Sequence, residues 1–570
     1  MRGEIKDEKK RPLPSVKIFV HSARTLYTSG SSGDFGINST NLYDSLTLSL
    51  EGYQTKEIKV KTDVWQTIVM NLAQESVAKN RPKLISITRD IEQKGKPSFT
   101  VSNETYFQLV ENDFIKTTGY PNTGFSLNVN KASYSNVRRF LNMESPVPPD
   151  AVRVEEMVNY FNLNYHEPAG KDVFRFSSQL TSCPWDPESE LLFLNVSAKK
   201  LDLARVPPSN FVFLIDVSGS MDMPNRLPLL KAAFQLFVKN LRTIDTVSIV
   251  MYGGTVGIWL PPTSGAEKAK ISKAIEELTA SGDTPGESAI MAAYQLARSS
   301  FIKGGNNRVI LATDGDFNVG ETSEKALDDL ITKQKQSGVY LTCLGVGMGN
   351  LKDSKLQTLA KRGNGNYAYL DDIKEAEKVL VKELTQTLYA VANDVFLNVR
   401  FNPATVKEYR LIGFDNKKEA VSDPNSDIEG GEIGSGNSTL AIFQLVPVLK
   451  PGHLLMHDTA SIGKVSLRYK VPEDSTCYVL LESLKSNYQP IDSVDRELKF
   501  AAAVTMFGLK IKLSPYAANI DWPLIKATAF TSADEFNYMQ EEFLMQIYKA
   551  QKLYVSSKKK KKKKDDVPGK

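Results

Sequence analysis

The sequence predicts a multidomain protein whose centre is a doubly wound α/β unit with a mostly parallel sheet, inserted in a β-sandwich. Three observations predict it. Between residues 208 and 392, apolar runs alternate with amphipathic helical stretches, the rhythm of strands joined by helical crossovers. One of those runs, Phe211–Ile215, is apolar at every position, as a strand covered on both faces must be. The flanking stretches, Leu191–Leu201 and 393–490, read instead as strand after strand, and the first is too short to fold alone. It is therefore expected to pair with the second, across the intervening α/β unit.

At 570 residues the chain exceeds what one core can hold, so three to five domains are expected. The elements follow in order. In 1–72, Val16, Ile18 and Val20, then Leu46, Leu48 and Leu50, then Ile58 and Val60 alternate with polar residues, with "TSGSSGDFG" among the turns. That pattern predicts a small β-sandwich. Residues 73–120 are polar and weakly patterned, and read as a linker. Region 121–207 opens with helices: Val137, Phe140 and Leu141 share one face, and Pro149 and Asp150 start a second helix carrying Val154, Met157, Val158 and Phe161.

Within 208–392 the predicted strands are Phe211–Asp216, Thr246–Tyr252, Val256–Leu260, Arg308–Thr313, Val339–Val346 and Tyr367–Leu370. A short Gly-Gly-Thr turn precedes Val256, which marks that strand as an antiparallel edge. Helices are predicted at Leu227–Leu241, Glu267–Leu278, Ser288–Phe301, Ser323–Ser337, Leu356–Arg362 and Lys374–Tyr389. Strands resume over 393–490, helices close the fold over 491–555, and 556–570 reads as a disordered, Lys-rich tail. The early helices (133–163) are expected to pack on the late ones.

Composition excludes several classes. The net charge of +5 arises in the run Lys558–Lys564; without it the body is close to neutral and offers no case for nucleic-acid binding. Three scattered cysteines argue against both a disulfide framework and a thiolate metal site. No apolar stretch is long enough for a transmembrane helix. The residues after Met1 lack the apolar core of a signal peptide, which leaves a cytoplasmic protein, or an exported one whose signal has been lost, as the two expectations.

Chemistry concentrates where the predicted strands end. Phe211–Asp216 delivers Asp216, Ser218 and Ser220 to its carboxyl end, where α/β sheets bind ligands. A second loop, "TASGDTPGES", carries Thr284, and a third buried strand ends in Thr313 and Asp314. Gly219 permits the tight turn that points both serine hydroxyls inward. Carboxylates and hydroxyls without His or Cys suit Mg²⁺, Mn²⁺ or Ca²⁺ rather than zinc or copper. With few direct carboxylates, the bound ion would still seek an acidic ligand.

This constellation resembles the metal-ion-dependent adhesion site (MIDAS) of von Willebrand factor type A (VWA) domains, whose fold is Rossmann-like. The D-x-S-x-S motif falls on Asp216, Ser218 and Ser220, the distant threonine on Thr284 and the later aspartate on Asp314. The resemblance implies that the hydroxyls ligate the ion and that the aspartates act directly or through water. It also implies a protein ligand offering Asp or Glu. Asp283 is a candidate for supporting the metal from one shell out. "NKASYSNVRRFLN", "CPWDPESELLFL" and "FAAAVTMFGLKIKLSPY" look like a bacterial branch of VWA proteins with its own extensions, and 1–72 resembles a carboxypeptidase-regulatory-like domain. Members of this branch are usually exported, so the resemblance implies the cell envelope, periplasmic or lipoprotein-anchored. Two departures stand out: Asn128-Val129-Asn130-Lys131 where the branch has acidic residues, and Asn437 where it often has His.

Other features yield to simpler readings. "DVSGS" brushes the aspartic-protease pattern, but Val217 breaks it and no second copy exists. No His lies between 208 and 392, so a serine nucleophile there would lack its base and no enzyme is expected. His453 and His457 fall in a strand-like stretch, where positions four apart are about 13 Å distant and cannot share an ion. Gly345–Asn350, "GVGMGN", lacks the full dinucleotide fingerprint and reads as a turn. The function expected is cation-dependent, adhesion-type protein binding. The alternatives are an envelope scaffold with an incidental metal site, or an accessory subunit of a separate ATPase or metal-insertion complex.

Overall fold

The computed structural model describes the chain except residues 9, 24, 40, 51–52, 72–103, 107–110, 203, 205, 254, 283–285, 316–330, 333–337, 415–429, 450–460, 473–475 and 566–570, together with the side chains of 286–287 and 556–565. Two compact units, Met1–Ile87 and Thr88–Lys570, are taken in turn.

Among the described residues the first unit contains seven strands: β1 (Arg2–Asp7), β2 (Lys17–Val20), β3 (Thr25–Thr28), β4 (Asp34–Gly36), β5 (Tyr43–Ser49), β6 (Lys56–Lys61) and β7 (Trp65–Met70). They form two sheets, β4-β1-β7 and β3-β2-β5-β6. The alternation read from the sequence decides what is inside. Ile5, Val16, Ile18, Val20, Leu46, Leu48 and Val60 are all buried in one cluster, and the residues alternating with them along the strands are half-buried or exposed.

The second unit starts with β8 (Ile115–Lys116) and β9 (Asn122–Ser126), then helices α1 (Ala132–Asn142) and α2 (Val154–Asn159), then β10 (Phe174–Ser182) and β11 (Glu190–Ala198). The α/β unit follows: β12 (Ser209–Asp216), α3 (Leu227–Lys239), β13 (Thr246–Gly253), β14 (Thr255–Ser264), α4 (Lys268–Glu276), α5 (Gly286–Ser299), β15 (Asn306–Thr313), β16 (Val339–Gly345), α6 (Asp353–Arg362), β17 (Tyr367–Tyr369), α7 (Ile373–Glu377) and α8 (Leu384–Leu388). Its sheet runs β14-β13-β12-β15-β16-β17, parallel throughout except for β14, the antiparallel edge. β12 sits inside this sheet with every residue buried, which is why its sequence carries no polar alternation. Phe213 stacks on Phe234 of α3 on one face, while Leu214 packs with Ala293 and Tyr294 on the other.

The chain then returns to the sandwich through β18 (Ala390–Phe401), β19 (Val406–Ile412), β20 (Gly431–Gly434), β21 (Ser438–Pro447), β22 (Ser461–Lys470), β23 (Cys477–Lys485) and β24 (Tyr488–Gln489). β11 pairs antiparallel with β21 over eight register positions, Glu190↔Leu445 to Ser197↔Ser438, so strands before and after the α/β unit share one sheet. The insertion expected from the sequence is thus the observed architecture. Helices α9 (Arg496–Ile511), α10 (Trp522–Ser532) and α11 (Tyr538–Asp565) close the chain, and α1, α2, α9 and α11 bury Tyr134, Met157, Phe161, Phe500, Phe507 and Phe543 in one cluster.

Three expectations need correcting. The linker read over 73–120 ends early: Ile115 and Lys116 pair with β19, and Glu104 forms a two-pronged ion pair with Arg139. The polarity of Glu104 reflects buried ion pairing rather than solvation. The helix predicted over Lys374–Tyr389 is broken, because a π-turn at Lys378–Lys382 separates α7 from α8. Its wide bond runs from Glu383 N to the Lys378 carbonyl at 2.7 Å, and Glu383 accepts from both Lys378 and Lys131. Lys131 thereby takes a structural role. Finally, the backbone of α11 is helical to Asp565, through the run read as a disordered tail.

Buried ion pairs fasten the α/β unit to its surroundings. Arg138 of α1 binds Asp371 and Glu375 of the insertion and Glu542 of α11, while Arg153 bridges Glu156 and Asp353. On the sheet itself, Arg308 of β15 meets Glu432 of β20 at 2.6 Å, both side chains buried.

Candidate metal centre

Why the first loop holds its shape follows from what lies beneath it. β12 ends at Asp216, and the Val217 N–H donates to the Tyr252 carbonyl of the neighbouring strand at 2.8 Å. The Val217 carbonyl accepts from Ser281 N at 2.6 Å, and Gly219 N donates to the Gly282 carbonyl at 3.0 Å. The loop leading to Thr284 is thus stitched to the D-x-S-x-S loop. Gly253 makes the approach possible: a Cβ there would lie 2.6 Å from Val217 C and 2.7 Å from Ser281 O. Ser218 to Met221 then turn as a short 3₁₀ segment, with Gly219–Met221 in the turn.

Side chains complete the cluster. Asp216 is fully buried; its Oδ1 accepts from the Ser218 N–H at 2.9 Å and its Oδ2 from the Thr313 hydroxyl at 2.8 Å. Ser218 and Ser220 hydroxyls lie 3.1 Å apart, and Ser220 donates to Asp314 Oδ2 at 2.7 Å. Asp314, also fully buried, therefore joins the cluster from the end of β15, as the sequence placed it. Of the six residues read from sequence, the structure brings Asp216, Ser218, Ser220 and Asp314 together. Thr284 and Asp283 lie outside the described residues, though the loop that leads to them enters at the expected place. His453 and His457 lie outside them too.

Electrostatics set what this cluster can hold. Burial pushes the Asp216 carboxyl above its ordinary range, hydrogen bonds from Ser218 and Thr313 pull it back, and the charge of Asp314 adds to the rise. Tyr252 is held well above the usual phenol range by burial and then by the Asp216 charge beside it. The hydrogen bonds that Asp216 accepts come from neutral groups, so its charge is desolvated without a cation among them. A hard divalent ion fits that donor set of carboxylate and hydroxyl oxygens. Among the described residues no group of three or more His, Cys, Asp and Glu gathers.

Sequence reasoning missed three participants. Thr313 is seen as a donor to Asp216 only once β12 and β15 are neighbours. Arg226 binds Asp314 at 2.7 Å, and Asn350 donates to the same oxygen at 3.0 Å. One signal was present: Arg226 occupies the N-cap of α3, where the helix dipole disfavours a cation, so it needed a partner elsewhere. The turn Gly345–Asn350 is a turn, as read, but one that wraps this guanidinium.

Fold and oxygen cluster together define a von Willebrand factor type A domain protein. The family model for the von Willebrand factor type A domain matches residues 210–383, and the carboxypeptidase D regulatory-like model matches 1–81. A model described as von Willebrand factor covers 100–193, and one for the C-terminal part of the uncharacterized protein YfbK covers 386–553. The chain belongs to the family of YfbK from Escherichia coli (strain K12): the two are 39% identical over 444 residues, 74% of this chain and 77% of that protein. It is also similar to the magnesium-chelatase 67 kDa subunit of Chlorobaculum parvum, 27% identical over 31% of this chain and 30% of that one. Among solved structures, von Willebrand factor type A from Catenulispora acidiphila covers 67% of this chain and 90% of its own length, at 15% identity and a TM-score of 0.39.

Proposed function

We propose that the α/β unit is a divalent-cation-dependent protein-binding module of the adhesion type, working in the bacterial cell envelope without catalysis of its own. Asp216, Ser218, Ser220, Thr284 and Asp314 would hold Mg²⁺, or Mn²⁺ or Ca²⁺ in its place, with Asp283 in support. When bound, the ion supplies a Lewis-acidic position for a carboxylate from outside. The protein's own residues do the rest: Ser220 holds Asp314, the Ser218 N–H and Thr313 hold Asp216, and the Gly282–Gly219 bond keeps two loops in register.

A partner's Asp or Glu completes the shell, which makes an acidic protein surface the ligand. The observation that carries this reading is the convergence of buried Asp216 and Asp314, linked through two serine hydroxyls at the carboxyl end of the sheet. The envelope placement is supported by the N-terminal carboxypeptidase-regulatory-like domain. No helix among the described residues is long and apolar enough to cross a membrane. The test is capture of a defined partner, recovered once by cross-linking, with Mg²⁺ and again with EDTA. Binding lost with chelator and in Asp216→Ala supports the reading; binding that persists in both contradicts it.

A second reading has one observation in its favour, the similarity to a magnesium-chelatase subunit. There the same module would dock onto a separate ATPase, and the captured partner would be that enzyme.

A further inference from the structure

We propose that Arg226 is an internal cation of this site, which competes with the divalent ion for Asp314 and thereby sets the site's cation affinity. The inference rests on the reading of the cluster as a divalent-ion site. Arg226 is buried, with 6% of its surface exposed. One arm of its fork, Nη1, donates to Asp314 Oδ2 at 2.7 Å and to the Ser220 carbonyl at 2.6 Å. The other, Nη2, donates to the Met348 carbonyl at 2.9 Å and to Asn350 Oδ1 at 2.8 Å. Asn350 returns a bond to the same Asp314 oxygen at 3.0 Å.

The slot is built for this side chain. Gly347 sits at φ +77°, and a Cβ there would come within 2.5 Å of Arg226 Nε. Glu104 pins the turn from behind by accepting from Gly349 N at 2.6 Å, while also pairing with Arg139. The guanidinium therefore cannot swing out without the turn and its anchor moving. Asp314 Oδ2 carries three donors, from Ser220, Arg226 and Asn350. An ion drawing on Asp314 must share it with a fixed positive charge in a water-poor setting, where like charges repel most strongly.

Two consequences follow. Metal affinity is held down, so that the site loads reversibly. In the absence of metal Arg226 stabilises Asp314, which keeps the loops assembled and ready. The same device ties the site to Glu104 and α1, outside the α/β unit.

The test uses the full chain and Mn²⁺ alone, followed by electron paramagnetic resonance, for the natural protein, Arg226→Gln, Arg226→Lys and Asp216→Ala. Arg226→Gln is expected to bind Mn²⁺ at least about tenfold more tightly, as loss of a neighbouring unit charge requires. Its metal-free thermal midpoint is expected to fall, and Mn²⁺ to raise it by more than in the natural protein. Arg226→Lys keeps the charge and should bind within about threefold of the natural protein. Unchanged or weaker binding in a folded Arg226→Gln overturns the proposal. Should that variant not fold, a change beyond about tenfold in Arg226→Lys overturns it, because fork geometry rather than charge would then set affinity. Absence of Mn²⁺ binding in the natural protein and in Asp216→Ala alike refutes the underlying site instead.

Discussion

Glu155 is the residue whose titration should be visible in the stability of the whole helical core. It lies buried in α2, its Oε2 has no hydrogen-bond partner, and the Cβ position of Gly413 is only 2.4 Å from that oxygen. Burial, and then the charge of Glu156, push its carboxyl from 4.5 up to about 7, against the smaller pull of Lys512 and Arg153. The sign follows from proton counting. Between these two pH values the folded protein keeps the proton and the unfolded chain has released it, so the unfolded state binds fewer protons and stability falls as pH rises. The penalty is absent below pH 4.5 and complete above about 7. At 1.36 kcal/mol per pH unit, that interval corresponds to about 3 kcal/mol. Glu155→Gln cannot ionise and should escape this loss. Denaturant titrations at pH 5, 6, 7 and 8, read through Trp185 and Trp522 in the same core, should show the variant gaining about 2–3 kcal/mol on the natural protein between the ends of the series, since part of the penalty is already present at pH 5. Raised carboxyls that do not interact with Glu155 act in both proteins and cancel in the difference. Parallel curves for the two proteins would refute the reasoning.

Two further substitutions probe the frame around the site. Glu432→Gln should strand the buried Arg308 guanidinium of the sheet and cost about 3–5 kcal/mol of stability, measured by chemical denaturation; a cost below about 1 kcal/mol would mean the pair is solvated. Gly253→Ala should press its new methyl into Val217 and the Ser281 carbonyl, costing about 1–3 kcal/mol and weakening Mn²⁺ binding, with magnetic resonance titration as the check; unaltered binding would uncouple that contact from the site.

Much of the architecture was legible because burial writes itself into residue type. β12 was visible as an uninterrupted apolar run, and β14 as an edge because its flanking turn is too short for a crossover. The insertion was legible for a less local reason: β10 and β11 cannot hide both faces unless later strands join them. What stayed hidden depends on pairings across long stretches of sequence. Nothing near Lys378 announces the π-turn, since its cause is an ion pair with Glu383 shared by Lys131, far away in the chain. Polar residues such as Glu104 and Arg139 look solvated in isolation, yet each is buried by the other.

The oxygen cluster divides along the same line. Asp216, Ser218 and Ser220 are close in sequence, and their spacing alone suggested one turn with two inward hydroxyls. Asp314 joins them because β15 lies beside β12, an order the alternating pattern does not fix; the resemblance to VWA domains is what pointed to this residue. Arg226 and Asn350 carry no motif. The place of Arg226 at the start of α3 showed that it needed a partner, and which partner became readable only when the end of β16 and the start of α3 met beside Asp314.

Mn²⁺ titration of the full chain beside Asp216→Ala bears most directly on whether these oxygens form a cation site. One reversibly bound Mn²⁺ per chain, lost in the variant while the fold survives, is the expected result, accompanied by a stabilisation of about 2.7 kcal/mol when free Mn²⁺ reaches one hundred times the dissociation constant. Equal binding by both proteins, or none by either, would contradict it.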